Sequence, residues 1–238
     1  MKIALCLPCH GDTKADFTAS LARLLVQTMT ASVGSPAGPV KFELEFFTAR
    51  SSDLPANRSA LLKRAMAWGA RYLLWLDADH VFPPDALLRL LQRGLPVVGC
   101  NYPRRTWPTG PVASRYDEAG ELEQLWTTKA KAEADVVEEV ALVGLGFCLI
   151  DMQVFGQVKA HVDAGIGWAA WEPFECRLSP DTGSRMGEDA SFFGELRAAG
   201  VKVYVDHALS WQIGHIAERV LTNADAEAER DAWLARHA

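Results

Sequence analysis

Leu73-Leu74-Trp75-Leu76-Asp77-Ala78-Asp79-His80 is an apolar run that stops abruptly at two carboxylates one residue apart. Its pattern predicts a buried strand that delivers acid groups at its carboxyl end. In an open α/β sheet ligands bind in the crevice beyond the carboxyl ends of the strands, so Asp77 and Asp79 stand where a ligand is expected. In extended backbone residues i and i+2 point the same way, and the spacing predicts that both carboxylates face one hard cation, Mg²⁺ or Mn²⁺. The pattern alone is weak, because fifteen Asp in the chain supply about one such match by chance. The competing reading has Asp77 capping a turn and Asp79 merely solvated.

Working outward, the residues after the acids predict a helix over 83–91, opened by proline and closed by Gly94. Upstream, strand and helix patterns alternate: strands over 2–8 and 41–48, helices over 15–30 and 56–68. That order argues for a mostly parallel sheet with crossover helices, and residues 95–100 add a further strand. From Pro103 the character changes to a proline- and glycine-rich stretch. A hairpin over 112–125 then turns at Asp117-Glu118-Ala119-Gly120. Residues 136–150 read as one strand interrupted by Gly144 and Gly146, glycines that imply close approach of backbone to a ligand or another segment. A helix over 189–199, a strand over 201–205 and a polar helix over 224–236 complete the pattern. The expected organisation is a single α/β domain over 1–238, comprising a nucleotide-binding half (1–102), an acceptor-side half with a small antiparallel insertion (103–216) and a C-terminal helix (217–238).

Hydrophobic residues make up 49% and charged residues 23% of the 238, ordinary for a globular chain that buries a core. A net charge of −6 and a pI near 5.5 give no general attraction to polyanions. Any nucleic-acid contact would need a local basic patch such as Arg104, Arg105 and Arg115. The first residues are too short in apolar length for a signal peptide, and no run approaches the ~18 apolar residues of a membrane helix, so a cytoplasmic protein is expected. Five cysteines, odd in number and widely spread, suit reduced thiols better than a disulfide framework. Cys6-Leu7-Pro8-Cys9-His10 has the spelling of a c-type haem attachment site, but it overlaps the first strand.

Three further regions hold candidate site residues. Glu188 and Asp189 open a helix, where carboxylates are favoured electrostatically, so plain capping competes with a chemical role. His215, in Gly214-His215-Ile216, is either an ordinary packed residue or a neutral imidazole that joins Asp77 and Asp79 on a metal. Asn57 and Arg58, between a strand and a helix, offer hydrogen bonds to phosphate or ribose, against ordinary capping with a solvated arginine.

Pro8-Cys9-His10, Ala56-Asn57-Arg58, Trp75-Leu76-Asp77-Ala78-Asp79, Gly144-Leu145-Gly146-Phe147, Gly187-Glu188-Asp189 and Gly214-His215 follow one another in this chain. In that order they resemble GT-A-fold glycosyltransferases, particularly small soluble family 2-like enzymes, over roughly residues 1–216. The resemblance implies a GT-A-like sheet and an inverting, non-processive transfer of one sugar from a nucleotide-sugar to an acceptor hydroxyl. Asp77, Asp79 and His215 would hold Mn²⁺ or Mg²⁺, and Asp189 would be the general base with Glu188 beside it. Pro8, Cys9, His10, Asn57, Arg58, Asp77 and Ala78 would line the nucleotide-sugar pocket.

Gly146, Arg104 and the aromatic faces of Trp168 and Trp171 are the acceptor-side candidates; the tryptophans are equally read as core. The acceptor is expected to be a glycan or small molecule, with a hydroxylated DNA base, as in phage-type members, the minority reading because of the acidic net charge. The Asp-Asp-Gly-Ser segment common after the second strand is absent, Ser51-Ser52-Asp53 being a loose substitute, and so is the Q-x-x-R-W motif of processive synthases. The competing classes are a nucleotidyltransferase, disfavoured because no glycine-rich basic loop follows the first strand, and an inactive nucleotide-sugar binding module.

Overall fold

The computed structural model describes residues 1–34, 38–162, 172–179 and 183–237. The chain runs through β1 (Lys2–Cys9), α1 (Ala15–Thr30), β2 (Ser32–Val33), β3 (Val40–Lys41), β4 (Glu43–Arg50), α2 (Leu54–Trp68) and β5 (Tyr72–Leu76). It continues through β6 (His80–Val81), α3 (Ala86–Arg93), β7 (Val97–Gly99), β8 (Ser114–Tyr116), β9 (Leu122–Gln124), α4 (Lys129–Glu133) and β10 (Val137–Val140). Then follow β11 (Phe147–Asp151), α5 (Gln153–Val162), α6 (Glu188–Ala198), β12 (Val203–Asp206), α7 (His207–Ser210), β13 (Gly214–Ile216), β14 (Val220–Leu221), α8 (Asn223–Ala228) and α9 (Arg230–His237).

A seven-stranded sheet of order β10-β12-β7-β11-β5-β1-β4 forms the centre. Five of its strands run the same way; only β11 and β10 are reversed. β11 lies between β5 and β7, so the sequence halves divided at residue 102 share one sheet. The fold is a mixed, mostly parallel α/β architecture of Rossmann-like type.

The deciding strand is as buried as its sequence requires: Leu73, Leu74, Trp75 and Leu76 are all 0% exposed. Successive side chains of a strand point to opposite faces. Leu73 and Trp75 accordingly pack with Leu61 of α2, Phe155 of α5 and Phe192 of α6, whereas Leu74 and Leu76 pack with Phe17 of α1 and Leu87 of α3. Helices thus cover both faces, which explains why the run is continuously apolar rather than alternating.

α2 starts where Asp53 accepts from the Ala56 amide at 3.0 Å, and it stops at Gly69 in the left-handed region (φ 79°). Gly94 ends α3 in the same way (φ 63°), although that helix begins at Ala86, after the two prolines.

Two expectations change. Residues 136–150 form two strands, β10 at the sheet edge and β11 near its centre, because the Gly144-Leu145-Gly146 segment leaves the ladder to approach other side chains. Residues 217–238 hold β14 and two helices that break at Glu229, with Trp233 buried against Trp126 rather than on a uniformly polar helix. The hairpin falls where expected, as β8–β9 with Gly120 at φ 84°.

Candidate functional site

β5 ends at Leu76 and residues 78–79 form a turn into β6, so the acid pair does not lie on extended backbone. The amide of Asp77 still donates to the Gly146 carbonyl at 2.9 Å, extending the β5–β11 pairing by one bond. Beyond it the chain rotates. Asp77 joins one group of side chains, around Arg58, and Asp79 another, beside His215 and Arg105, whereas the expectation places both on a single cation.

The first group surrounds Arg58, which is 1% exposed. Its Nη2 lies 3.5 Å from Asp77 Oδ1 and 4.0 Å from Asp189 Oδ1, and its Nε lies 3.7 Å from Glu188 Oε1. Nε and Nη1 have no hydrogen-bond partner, and the guanidinium carbon sits 5.1 Å from the Trp75 ring centroid. Arg58 is therefore the internal counter-charge of three carboxylates rather than a solvated hand for phosphate. Burial alone would lower its pKa, but Asp189, Asp77 and Glu188 together outweigh that and raise it.

Asp189 does not cap its helix. Gly187 is the N-cap residue with no side-chain capping bond, and Asp189 Oδ2 instead accepts from the Leu145 amide at 3.1 Å. Burial pushes the Asp189 carboxyl up to about 7, with Glu188 adding to the shift and Arg58 opposing it. Asp77 is also raised, again by burial first, with Arg58 pulling the other way.

The second group forms where β13 pairs antiparallel with β6, placing His215 directly opposite His80. The two rings are tilted 31° with centroids 4.5 Å apart. His215 Nδ1 donates to the Pro103 carbonyl at 2.8 Å, which leaves Nε2 facing Asp79 Oδ2 at 3.5 Å. His80 is fully buried and neither of its ring nitrogens has a hydrogen-bond partner. Burial, then the neighbouring His215, lowers its pKa to about 3, which keeps the imidazole neutral at physiological pH. Asp79 is pushed up by burial, yet the facing His215, with His80 and Arg105, outweighs this and holds it at about 2.

One ligand atom from each of Asp79, His80 and His215 lies within 4.8 Å of the others. Asp77 falls outside that set, and His80 takes its place.

Between the groups lies the Gly144–Gly146 segment. A Cβ on Gly146 would lie 2.4 Å from His80 Cε1, 2.5 Å from Tyr102 Oη and 2.7 Å from Asp77 Oδ2. One on Gly144 would lie 2.1 Å from Tyr102 Oη. The Tyr102 hydroxyl accepts from the Gly146 amide at 2.9 Å. The close approach expected of these glycines is thus to Tyr102 and the site side chains. A cleft of about 440 Å³ opens above, lined by Tyr102, Arg104, Gly144, Glu188 and Asp189 among others.

The other expected residues divide. Pro8 and Cys9 end β1 opposite Ala49 and Arg50, and the Cys9 thiol donates to the Ala49 carbonyl at 3.6 Å. His10 is exposed, and its carbonyl accepts from Arg50 Nε at 3.4 Å. Asn57 braces the loop before α2, accepting from the Ser51 hydroxyl at 2.9 Å and donating to the Ser51 carbonyl at 3.2 Å. The Ala78 carbonyl accepts from the Lys14 amide at 3.3 Å.

Arg104 Nε donates to the Pro111 carbonyl at 2.9 Å, Arg105 pairs with Asp79, and Arg115 pairs with Glu123 and Glu138. The basic patch is therefore engaged within the molecule. Trp168 and Trp171 lie outside the described residues. Sequence reasoning missed Tyr102 and gave His80, like His10 and His207, the same ambiguity as His215 in a weaker context. The signal for His80 was its position directly after the acids, in the stretch that decides the fold.

No protein-family model and no curated protein matches the chain. Among solved structures it is similar to the crystal structure of A197 from STIV, over 94% of this chain and 92% of that one, with a TM-score of 0.54 and 19% sequence identity. At that identity the likeness supports the fold class. No described helix is long and apolar enough to cross a membrane.

Proposed function

We propose that this chain is a metal-dependent glycosyltransferase that moves one sugar from a nucleotide-sugar to an acceptor hydroxyl with inversion. The observation that carries the reading is the placement of two different devices on either side of Gly146, at the end of β5 where an open sheet binds ligands. On one side stands a carboxyl raised to about 7, Asp189; on the other stand Asp79, His80 and His215.

The residues present fit a divalent cation. His80 offers a buried, neutral imidazole with both nitrogens unpartnered, and the Pro103 carbonyl holds the His215 ring with Nε2 turned toward Asp79. Two imidazoles and one carboxylate suit Mn²⁺ better than Mg²⁺, which prefers oxygen ligands. A cation bound there would offset the charge growing on the departing nucleoside diphosphate.

The chain's own part is proton transfer and orientation. Asp189 takes the proton of the acceptor hydroxyl as that oxygen bonds to the anomeric carbon, and the bond from that carbon to the diphosphate oxygen breaks with its electron pair leaving on the diphosphate. A base whose pKa lies near the working pH is well matched to this task. Arg58, held against Asp77, Glu188 and Asp189, limits how far the pKa rises and fixes the three carboxylates relative to one another.

The test is a thermal-shift series with UDP-, GDP-, dTDP- and CMP-sugars, each with and without Mn²⁺, because a ligand that binds only the folded chain raises its melting temperature. A Mn²⁺-dependent rise with one nucleotide family, followed by turnover of that donor, is the expected result. Binding without turnover against a panel of acceptors would favour a binding module, and a response only to nucleoside triphosphates would favour a nucleotidyltransferase.

A further inference from the structure

Arg105 lies on the segment between Pro103 and Pro111, which pair with each other as an isolated bridge. The base of that segment is closed by the Arg104 amide on the Gly110 carbonyl at 2.7 Å, by Arg104 Nε on the Pro111 carbonyl at 2.9 Å and by the Thr109 hydroxyl on the Arg104 carbonyl at 2.6 Å. Its outer side rests on the C-terminal helices. The Thr109 amide donates to Glu229 at 3.0 Å, Arg236 donates to the Trp107 carbonyl, and Gly110 packs so tightly on Trp233 that a Cβ there would lie 2.3 Å from Nε1.

The backbone around Arg105 is thus anchored, while its side chain is 53% exposed and reaches back to the acid turn, with Nη1 2.7 Å from Asp79 Oδ2. That same oxygen faces His215 Nε2. One carboxylate oxygen is therefore shared between the exposed guanidinium and the Asp79, His80 and His215 set.

We propose that Arg105 and a divalent cation compete for Asp79 Oδ2, so that loading the cation drives Arg105 off the carboxylate and frees its guanidinium for an anionic ligand at the same mouth. The inference rests on the metal position argued above and adds a role for a residue outside it. A guanidinium and a dication on one oxygen repel each other, and the side chain with solvent beside it is the one that can move. Once released, it presents a planar fork of donors that matches phosphate oxygens, on a loop whose backbone does not need to rearrange. Arg105 is a positioning residue in this scheme, exchanging one anion for another as the cation arrives.

The experiment titrates Mn²⁺ alone into the full chain and follows loss of the free-ion electron paramagnetic resonance signal. Arg105→Gln is expected to bind Mn²⁺ about fivefold more tightly than the unaltered chain, the scale of one exposed ion pair, with Arg105→Lys in between. Equal or weaker binding by a folded Arg105→Gln chain overturns the competition. At saturating Mn²⁺, inorganic phosphate is expected to raise the melting temperature of the unaltered chain more than that of Arg105→Gln; equal shifts overturn the anion-capture step. If neither the unaltered chain nor Arg105→Gln binds Mn²⁺, the metal position itself is wrong and the competition falls with it. Binding by both with the same affinity removes Arg105 alone.

Discussion

His80 and His215 face each other across the β6–β13 pair, one fully buried without a hydrogen-bond partner, the other tied through Nδ1 to the Pro103 carbonyl. Directly opposed residues on one face of an antiparallel pair are held close by the backbone ladder itself. The relationship therefore fixes two imidazoles beside Asp79 without help from long flexible side chains.

His80→Gln is expected to abolish Mn²⁺ binding, whereas Asp77→Asn is expected to retain it. Calorimetric titration of both folded variants with Mn²⁺ decides the point. The opposite pattern would restore the paired-acid reading of the sequence.

Arg58→Met leaves Asp77, Glu188 and Asp189 facing one another without their counter-charge. Removing one partner of a buried ionic group is strongly destabilising, and a loss of about 3 kcal/mol at pH 7 is expected here. The loss should shrink at pH 5, where the Asp189 carboxyl, raised to about 7, takes up its proton. Urea unfolding at the two pH values measures both quantities.

Asp189 also predicts how stability varies with pH. Its carboxyl is raised from an ordinary value of 3.8 to about 7 in the folded chain, so between those values the folded state binds more protons than the unfolded state. Stability contributed by this group is present below about 4 and is lost as pH rises through about 7. Asp189→Asn should flatten that part of the stability profile. In the unaltered chain the transfer rate should climb over the same range as the base deprotonates, and the variant should lose transfer while still binding donor.

Two glycine substitutions give a contrast of sign. Gly146→Ala would force a methyl group against His80, Tyr102 and Asp77, and a loss of about 1–3 kcal/mol together with weaker Mn²⁺ binding is expected. Gly156→Ala, on the exposed side of α5 with nothing within 4 Å of its Cβ, should stabilise the chain by about 0.5–1 kcal/mol. Thermal unfolding of the two variants side by side checks both expectations.

The fold is readable because burial on both faces of β5 writes itself into four consecutive apolar residues, and because Gly94 and Gly120 mark chain reversals that only local geometry requires. The site was readable only in part. Asp77 and Asp79 were found, but their common direction was inferred from an extended backbone that the turn at 78–79 replaces. His80 was adjacent to them in sequence, yet its role comes from pairing with a strand more than 130 residues later, which no local pattern encodes. Arg58 reads in the sequence as a phosphate contact, because a guanidinium suits bidentate anion recognition, or else as a solvated arginine; its burial follows from the non-local arrival of Glu188 and Asp189. Tyr102 left its mark only indirectly, in the two glycines that make room for it.

The reversed strand β11 has a consequence for what the crevice is made of. The parallel strands end at the ligand edge, but a strand inserted backwards begins there, so the residues leading into β11 bring backbone donors to side chains of the site. In this protein those are the Leu145 and Gly146 amides, one on Asp189 and the other on Tyr102. A single inverted segment thus ties one site carboxylate and one site hydroxyl to backbone amides. Because Tyr72–Leu76 pairs with it throughout, lengthening the three-residue lead-in by one would misplace the donors while leaving the sheet register untouched.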